Sequence, residues 1–404
     1  MKILIVNENY YSGGLDSFLI NLINNWPNDH DDIIFSVNQT HPGTEYIREK
    51  VKRRELNIRF YSIKTEVELS RMLENKIPRL FSNVLRALLR YPYFIFQIFF
   101  FYLFNKKIAP DRILVVNGGY PGGNSCRAAA IGAALATTPK YCIMNCHNSA
   151  IRSNFLFFLP EMVIDYLLRL SVGKWITVSI DTDLSFKNRP VLMSLKNRAV
   201  IYNGIEDKVL NRSNLDSIRF KFGLSENVKV VLILATYEKR KGHIFLLESF
   251  KLLLKDCPDV NLICVGYGYE REIALIKKKI DELGLNQRVQ LHQFTNDPSE
   301  FYAVADIVVV PSQSFESFGL TIVEAMRFGI PVVATNIGGI PEVLMSGSGG
   351  FLSNLDPAEF AFNIASLLNN GRLYSEQSRK GREVFEAKFQ ASKMAQGYYK
   401  CLSN

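Results

Sequence analysis

Short runs of β-branched and aliphatic residues recur along this chain, each followed by apolar residues at helical spacing, and that alternation most restricts the fold. A short continuous apolar run suits a strand buried on both faces, as in a parallel sheet covered by helices. The expected strands of the first half are 3–6, 33–37, 59–62, 113–116, 140–144, 175–178 and 199–202. Residues 205–226 are polar and weakly patterned, with Lys208, Asn211, Arg212, Ser213 and Asn214 suggesting an exposed linker. A second series follows at 229–234, 261–265, 288–291, 307–310 and 331–334. The class is therefore α/β, with two doubly wound Rossmann-like domains at 1–208 and 216–387. A chain of 404 residues suits two such domains, and 48% apolar with 22% charged residues excludes general disorder. No short-period repeat or low-complexity tract interrupts the pattern.

Ligands of such sheets bind beyond the carboxyl ends of the strands, so the strand ends are the places to look for chemistry. The strand at 307–310 ends at Pro311-Ser312, and a loop carries Glu316. From Gly319 the positions Leu320, Ile322, Val323, Ala325 and Met326 suit a helix that stops at Gly329 before Pro331, which places Glu324 a little over one turn in. A helix start offers unpaired N–H groups and partial positive charge, suiting a diphosphate over Gly319, Leu320 and Thr321. Glu324 could then accept from two ribose hydroxyls, and Glu316 could reach a sugar beyond the phosphates. The competing reading makes Glu324 a balance to its helix and Glu316 a solvated loop acid.

The segments Pro311-Ser312, Glu316-Ser317-Phe318-Gly319, Glu324-Ala325, Gly329-Ile330-Pro331-Val332-Val333-Ala334-Thr335 and Gly338-Gly339-Ile340-Pro341-Glu342 resemble the retaining GT-B glycosyltransferases of family 4, also called glycosyl transferases group 1. The resemblance implies a GT-B fold with two Rossmann-like domains facing across a cleft, and a last segment, 388–404, that packs back on the N-terminal domain. It also implies roles. Glu316 would hold the donor sugar, Glu324 the ribose, and Lys241 with the amides of Gly319 and Leu320 the diphosphate leaving group. Arg240 is the candidate to stand in for the family's arginine, whose position here is Thr236. Gly13 and Gly14 would lie near donor and acceptor, Gly266 near the nucleotide, and Phe294 beside the base. Phe318 belongs to the same donor loop. His147, after the fifth strand, would contact the transferred sugar. Plain tight turns for the glycines and a buried structural role for His147 stay open.

The reaction so implied moves a sugar from a nucleoside diphosphate sugar, with UDP-sugar favoured, to an acceptor hydroxyl. No cofactor and no metal is required. A sugar-nucleotide 2-epimerase shares the architecture and is the alternative enzyme. The aromatic run 91–104, flanked by Arg79, Arg86, Arg90, Lys106 and Lys107, favours a lipid-linked saccharide of bacterial surface polysaccharide assembly as acceptor over a soluble one. Only about 14 residues of it are continuously apolar and Pro92 interrupts them, so it should not span a bilayer; core packing and peripheral membrane contact through 79–107 both remain open. The net charge of +9 points to anionic partners, for which nucleotide sugars, nucleic acid and anionic lipid all qualify; the 79–107 segment tilts the choice, and no nucleic acid is expected. The six cysteines include no C-x-x-C pair and read as reduced thiols, and Cys142, Cys146 and His147 make a weak metal set. Lys2 precedes only four apolar residues, a first strand and not a signal peptide, which makes the expected location cytoplasmic, with the inner face of the plasma membrane left open by 79–107.

Overall fold

The computed structural model describes residues 1–10, 12–53, 56–74, 78–136, 142–211, 213–345 and 347–403, and the chain divides into two compact units. The first comprises Met1–Asn203 with Ala391–Asn404, the second Gly204–Gln390. Tyr11, Lys140 and Arg212 lie outside the described residues, as does the side chain of Arg79.

In the first unit, β1 (Lys2–Asn7), β2 (Asp32–Val37), β3 (Asn57–Phe60), β4 (Arg112–Asn117), β5 (Cys142–Cys146), β6 (Lys174–Thr177) and β7 (Arg198–Val200) form one sheet in the order β3-β2-β1-β4-β5-β6-β7. The second unit orders β8 (Lys229–Leu234), β9 (Val260–Gly266), β10 (Val289–Gln293), β11 (Ile307–Val310), β12 (Val332–Thr335) and β13 (Gly350–Ser353) as β10-β9-β8-β11-β12-β13. Every pairing is parallel. Each sheet reverses its strand order once, between β1 and β4 and between β8 and β11, and such a switch point opens a crevice for ligand.

Three local expectations are corrected. The third strand lies two residues earlier than its sequence pattern, because Tyr61 turns inward, fully buried, and donates to the Asn7 carbonyl at 3.2 Å. β13 has no expected counterpart, since its Gly350-Phe-Leu-Ser carries too little apolar signal to read as a strand. The 205–226 stretch holds a helix, Leu215–Lys221, and buries Phe222 and Leu224, so it is not simply an exposed linker.

The aromatic run forms one continuous helix, Arg79–Ile108. Pro92 does not end it because Pro92 sits on the exposed side, where water can take the carbonyl that its missing N–H leaves free. Leu85–Ile108 is long and apolar enough to cross a membrane by length and composition, with 17% of that window buried. Its inner face, Phe94, Gln97, Phe101, Asn105 and Ile108, packs on the Asn124–Ala136 helix. The two approach closely at Gly132, where a Cβ would lie 2.8 Å from the Tyr102 nitrogen and 2.9 Å from the Ile98 oxygen. The last helix, Ala391–Ser403, covers the opposite side of the same sheet, with Met394, Tyr398 and Leu402 in the core beside Phe18 and Leu22.

Candidate functional site

In the second unit the candidate residues gather at the β8/β11 switch point. After β8 the chain makes a short turn at Lys239–Lys241 and enters the His243–Leu253 helix through Gly242. Gly242 is required there, since its φ is 76° and a Cβ would stand 1.9 Å from the Pro311 oxygen. That contact sets the Lys241 turn against the end of β11, and the Gln313 N–H donates to the Arg240 carbonyl at 2.7 Å. As a result the Lys241 ammonium makes an ion pair with Glu316, 75 residues away, with both side chains largely buried at 17% and 12% exposure. Ser312 donates to the same carboxylate at 3.2 Å, and the Glu316 carbonyl accepts from the Gly339 N–H at 2.7 Å. The acid and the base named from the sequence thus occupy one spot.

The helix that follows, Leu320–Arg327, starts at Gly319 in the left-handed region with φ 89° and has neither a side-chain cap nor an acid in its first turn. Its amides at Leu320 and Thr321 carry the uncompensated positive end that an anion can use. Thr321 is half-buried and donates its hydroxyl to the Leu234 carbonyl at 3.3 Å, a tie from this helix to the end of β8. One turn on, Glu324 is half-buried and accepts from the Tyr302 hydroxyl at 2.6 Å. Burial raises the Glu324 carboxyl above its ordinary value, and the Tyr302 bond and Arg327 offset this only in part. Tyr302 went unseen in the sequence because it sits 22 residues away on a separate helix, where it reads as core.

Other assigned residues take other partners. Arg240 pairs with Glu238 at 2.8 Å and lies over the Phe315 ring at 5.3 Å, so its guanidinium is already engaged. The Phe318 side chain is 2% exposed and meets Phe389 edge-on at 5.8 Å, so what this residue offers a donor is its backbone. Gly266 is held against the Ala235 carbonyl, where a Cβ would come to 2.0 Å. Phe294 is exposed and stands edge-on to Tyr267 at 5.6 Å, two aromatic surfaces at the ends of β10 and β9.

The first unit has its own cluster at the β1/β4 switch point. Gly13 caps the Gly14–Asn24 helix, and its N–H is taken by the Asp16 carboxylate at 3.1 Å. Asp16 also lies 3.1 Å from His41 Nε2, both side chains being fully buried. This helix start therefore carries its own acid, unlike that at Gly319. The His147 N–H donates to the Asn117 carbonyl at 3.0 Å, and its ring meets Phe18 of the same helix edge-on at 4.3 Å. His147 Nε2 is enclosed without a hydrogen-bond partner, and burial drives the imidazole down to about 3, so it is neutral at neutral pH. Glu8, missed in the sequence, is a buried acid here, accepting from the Tyr10 hydroxyl at 2.6 Å and the Ser125 N–H at 2.8 Å. Burial holds its carboxyl above the usual range despite those bonds.

Among the described residues no three His, Cys, Asp or Glu side chains are grouped to hold a metal, and the six cysteines are unpaired in disulfides. Residues 215–384 match the family model described as Glycosyl transferases group 1. The chain is 28% identical over 204 residues to the N-acetyl-alpha-D-glucosaminyl L-malate synthase of Bacillus anthracis, covering 50% of this chain and 52% of that protein. It is 31% identical over 160 residues to the lipopolysaccharide 1,2-N-acetylglucosaminetransferase of Salmonella typhimurium, covering 38% of this chain and 42% of that one. The aligned stretches thus span about half the length of these curated relatives. The crystal structure of Anabaena HepE in complex with UDP and glucose superposes with a TM-score of 0.75 at 21% identity, covering 100% of both chains. The chain accordingly has the GT-B fold of two Rossmann-like domains, and residues 215–384 of it are similar to the glycosyl transferases group 1.

Proposed function

We propose that this protein is a retaining glycosyltransferase of family 4 that moves a sugar from a UDP-sugar to an acceptor hydroxyl. The observation that carries the reading is the uncapped helix start at Gly319, bracketed by the Lys241–Glu316 pair and by Glu324 on Tyr302. Leaving-group charge develops on the diphosphate, and preorganised amides plus a lysine stabilise it where water is excluded. Lys241 is held by Glu316 before donor arrives; phosphate would take over the ammonium, and Glu316 would turn to the sugar hydroxyls. Glu324 would accept from the ribose, and Tyr267 and Phe294 would offer their faces to the base. His147, neutral and with a free ring nitrogen, would serve as a hydrogen-bond partner to the sugar and not as a charge.

Support for the donor comes from the HepE structure, which holds UDP and glucose. Support for a saccharide acceptor in surface polysaccharide assembly comes from the Salmonella relative, a lipopolysaccharide N-acetylglucosaminetransferase. The acceptor proposed is a lipid-linked saccharide, met at the cytoplasmic face of the membrane through the 79–107 helix. No metal has a role in this reading, so activity should survive EDTA.

The test is incubation with a panel of UDP-, GDP- and ADP-sugars, with and without polyprenyl-diphosphate saccharide, followed by NMR of the product's anomeric centre. Transfer from a UDP-sugar with retained configuration is expected. Conversion of the donor alone to its 2-epimer would replace this reading with epimerisation, and inverted configuration would sink the family 4 assignment.

A further inference from the structure

The helix Phe158–Ser171 is apolar on two sides: Ile164 and Leu168 pack into the core, and a second apolar stripe faces outward. Leu159, Val163, Tyr166 and Leu170, at spacings of four, three and four, face solvent with exposures of 73%, 60%, 56% and 54%, and Phe155 and Leu156 before them reach 91% and 78%. Its two acids point inward instead. Glu161 accepts from Arg127 at 2.8 Å and Arg189 at 3.0 Å, and Asp165 pairs with Arg189 at 2.7 Å and accepts from the Tyr120 hydroxyl at 2.5 Å. A buried ion network thus fixes the helix in this orientation, because rotating it would strand those charges.

The Arg79–Ile108 helix shows a second outward stripe, Leu88, Ile95, Phe99 and Leu103, each 49% exposed or more. Both helices border the core on the same side of the first sheet, and they meet where Tyr91 lies edge-on to Phe157 at 6.1 Å and Arg90 reaches Glu161 at 3.5 Å. Exposed apolar surface on this scale marks an interaction site.

Charge selects the occupant. Residues 79–108 contain no Asp or Glu, the two acids of 155–171 are both buried, and the neighbouring Glu66 and Glu74 are paired with Arg90 and Arg86. Its exposed charges are cations: Arg152, Lys106 and Lys107, with Arg169, which also donates to the Val191 carbonyl at 3.0 Å and Ser194 at 2.9 Å. Lys107 and Arg59 rim a groove of about 540 Å³ walled by Phe60, Phe100, Leu103 and Phe104, which puts cations beside apolar wall as an interface of headgroup and acyl chain requires. A second copy of the chain would bring like charges together. Arg86 and Arg90 are not free for headgroups, since Arg86 donates to Ser70 at 2.6 Å and Arg90 is held by Glu161.

We infer that the Phe155–Leu170 stripe, with the outer face of the Arg79–Ile108 helix beside it, is a docking surface for an anionic lipid bilayer, lying in the interface with its rings among the headgroups. This rests on the membrane contact proposed above and assigns its main anchor to a helix that the sequence pattern did not single out. It requires no turnover and is measured without donor.

The full-length protein would be sedimented with phosphatidylcholine vesicles with and without phosphatidylglycerol, as wild type, as L159E/V163E and as I95E/F99E. Wild type should bind the anionic vesicles, and L159E/V163E should weaken binding about tenfold or more while leaving the melting temperature and UDP binding unchanged. A Leu159→Trp reporter should shift its emission to the blue on the same vesicles, against the buried background of Trp26 and Trp175. Wild-type binding that only I95E/F99E removes would overturn the assignment to this helix and leave the 79–107 contact standing. Absence of any wild-type binding would overturn both. A lipid-free dimer abolished by L159E/V163E in sedimentation velocity would make the surface a self-interface and overturn the inference.

Discussion

At the scale of single residues, Glu324 shows how function and stability pull apart. Its carboxyl is raised by burial, so the neutral form fits the fold better than the ion. The stability this gives is present below the ordinary value of 4.5 and is lost as pH rises through the raised one. Glu324→Gln, neutral throughout and still able to accept from Tyr302, should therefore melt above wild type at pH 7, with the gap closing below 4.5. The same variant should bind UDP about tenfold or more weakly by calorimetry, the loss expected when a charge-assisted bond worth about 1.5–3 kcal/mol is removed. Equal UDP affinity would show that Glu324 does not meet the ribose. The histidines carry the opposite sign. Burial lowers His147 to about 3 and His243 to about 4 from 6.5, so both stabilise the fold above 6.5 and that contribution is lost as pH falls toward those values. Acid melting between pH 6.5 and 4 should be less steep in His243→Gln than in wild type, and kcat/KM should show no limb near 6.5 from His147.

At the scale of elements, the Arg79–Ile108 helix depends on its close approach at Gly132. A valine there would press on the Tyr102 and Ile98 backbone. Gly132→Val should lower stability by about 1–3 kcal/mol, the usual result of overpacking, and more if the helices separate. Denaturant melts check this; an unchanged midpoint would mean that the two helices can slide apart freely. The site elements were legible in the sequence for a local reason. Pro311-Ser312 ending a β-branched run and Gly319 opening an apolar helix fix backbone geometry within a few residues. The Lys241–Glu316 pair and the Tyr302 bond were not legible, since they join segments 75 and 22 residues apart. Likewise Pro92 read as an interruption because its local effect is to break helices, and only its exposed placement removes that effect.

At the scale of the whole molecule, the chain's last helix completes the first unit and not the one it follows. Tyr398 is fully buried there, accepts from the Asn145 side chain in β5 and meets Phe18 edge-on at 5.5 Å. Tyr398→Phe leaves that amide buried without its acceptor and should destabilise the first unit by about 1–3 kcal/mol. Hydrogen exchange resolved by segment should place the loss in β5 and the Gly14–Asn24 helix, with the second unit unmoved; a uniform loss would contradict the division into units. The sequence by itself determined the two alternating α/β series and the residues at their strand ends, because periodicity and turn chemistry act over a few neighbouring residues. Only the tertiary structure decided that Phe318 packs inward, that Glu316 is held by Lys241, and that the 158–171 helix turns Leu159, Val163, Tyr166 and Leu170 to solvent. Those outcomes depend on which distant element supplies a partner. Arg127 and Arg189 drew Glu161 and Asp165 inward beside Ile164 and Leu168 and left a second apolar stripe of that helix facing out.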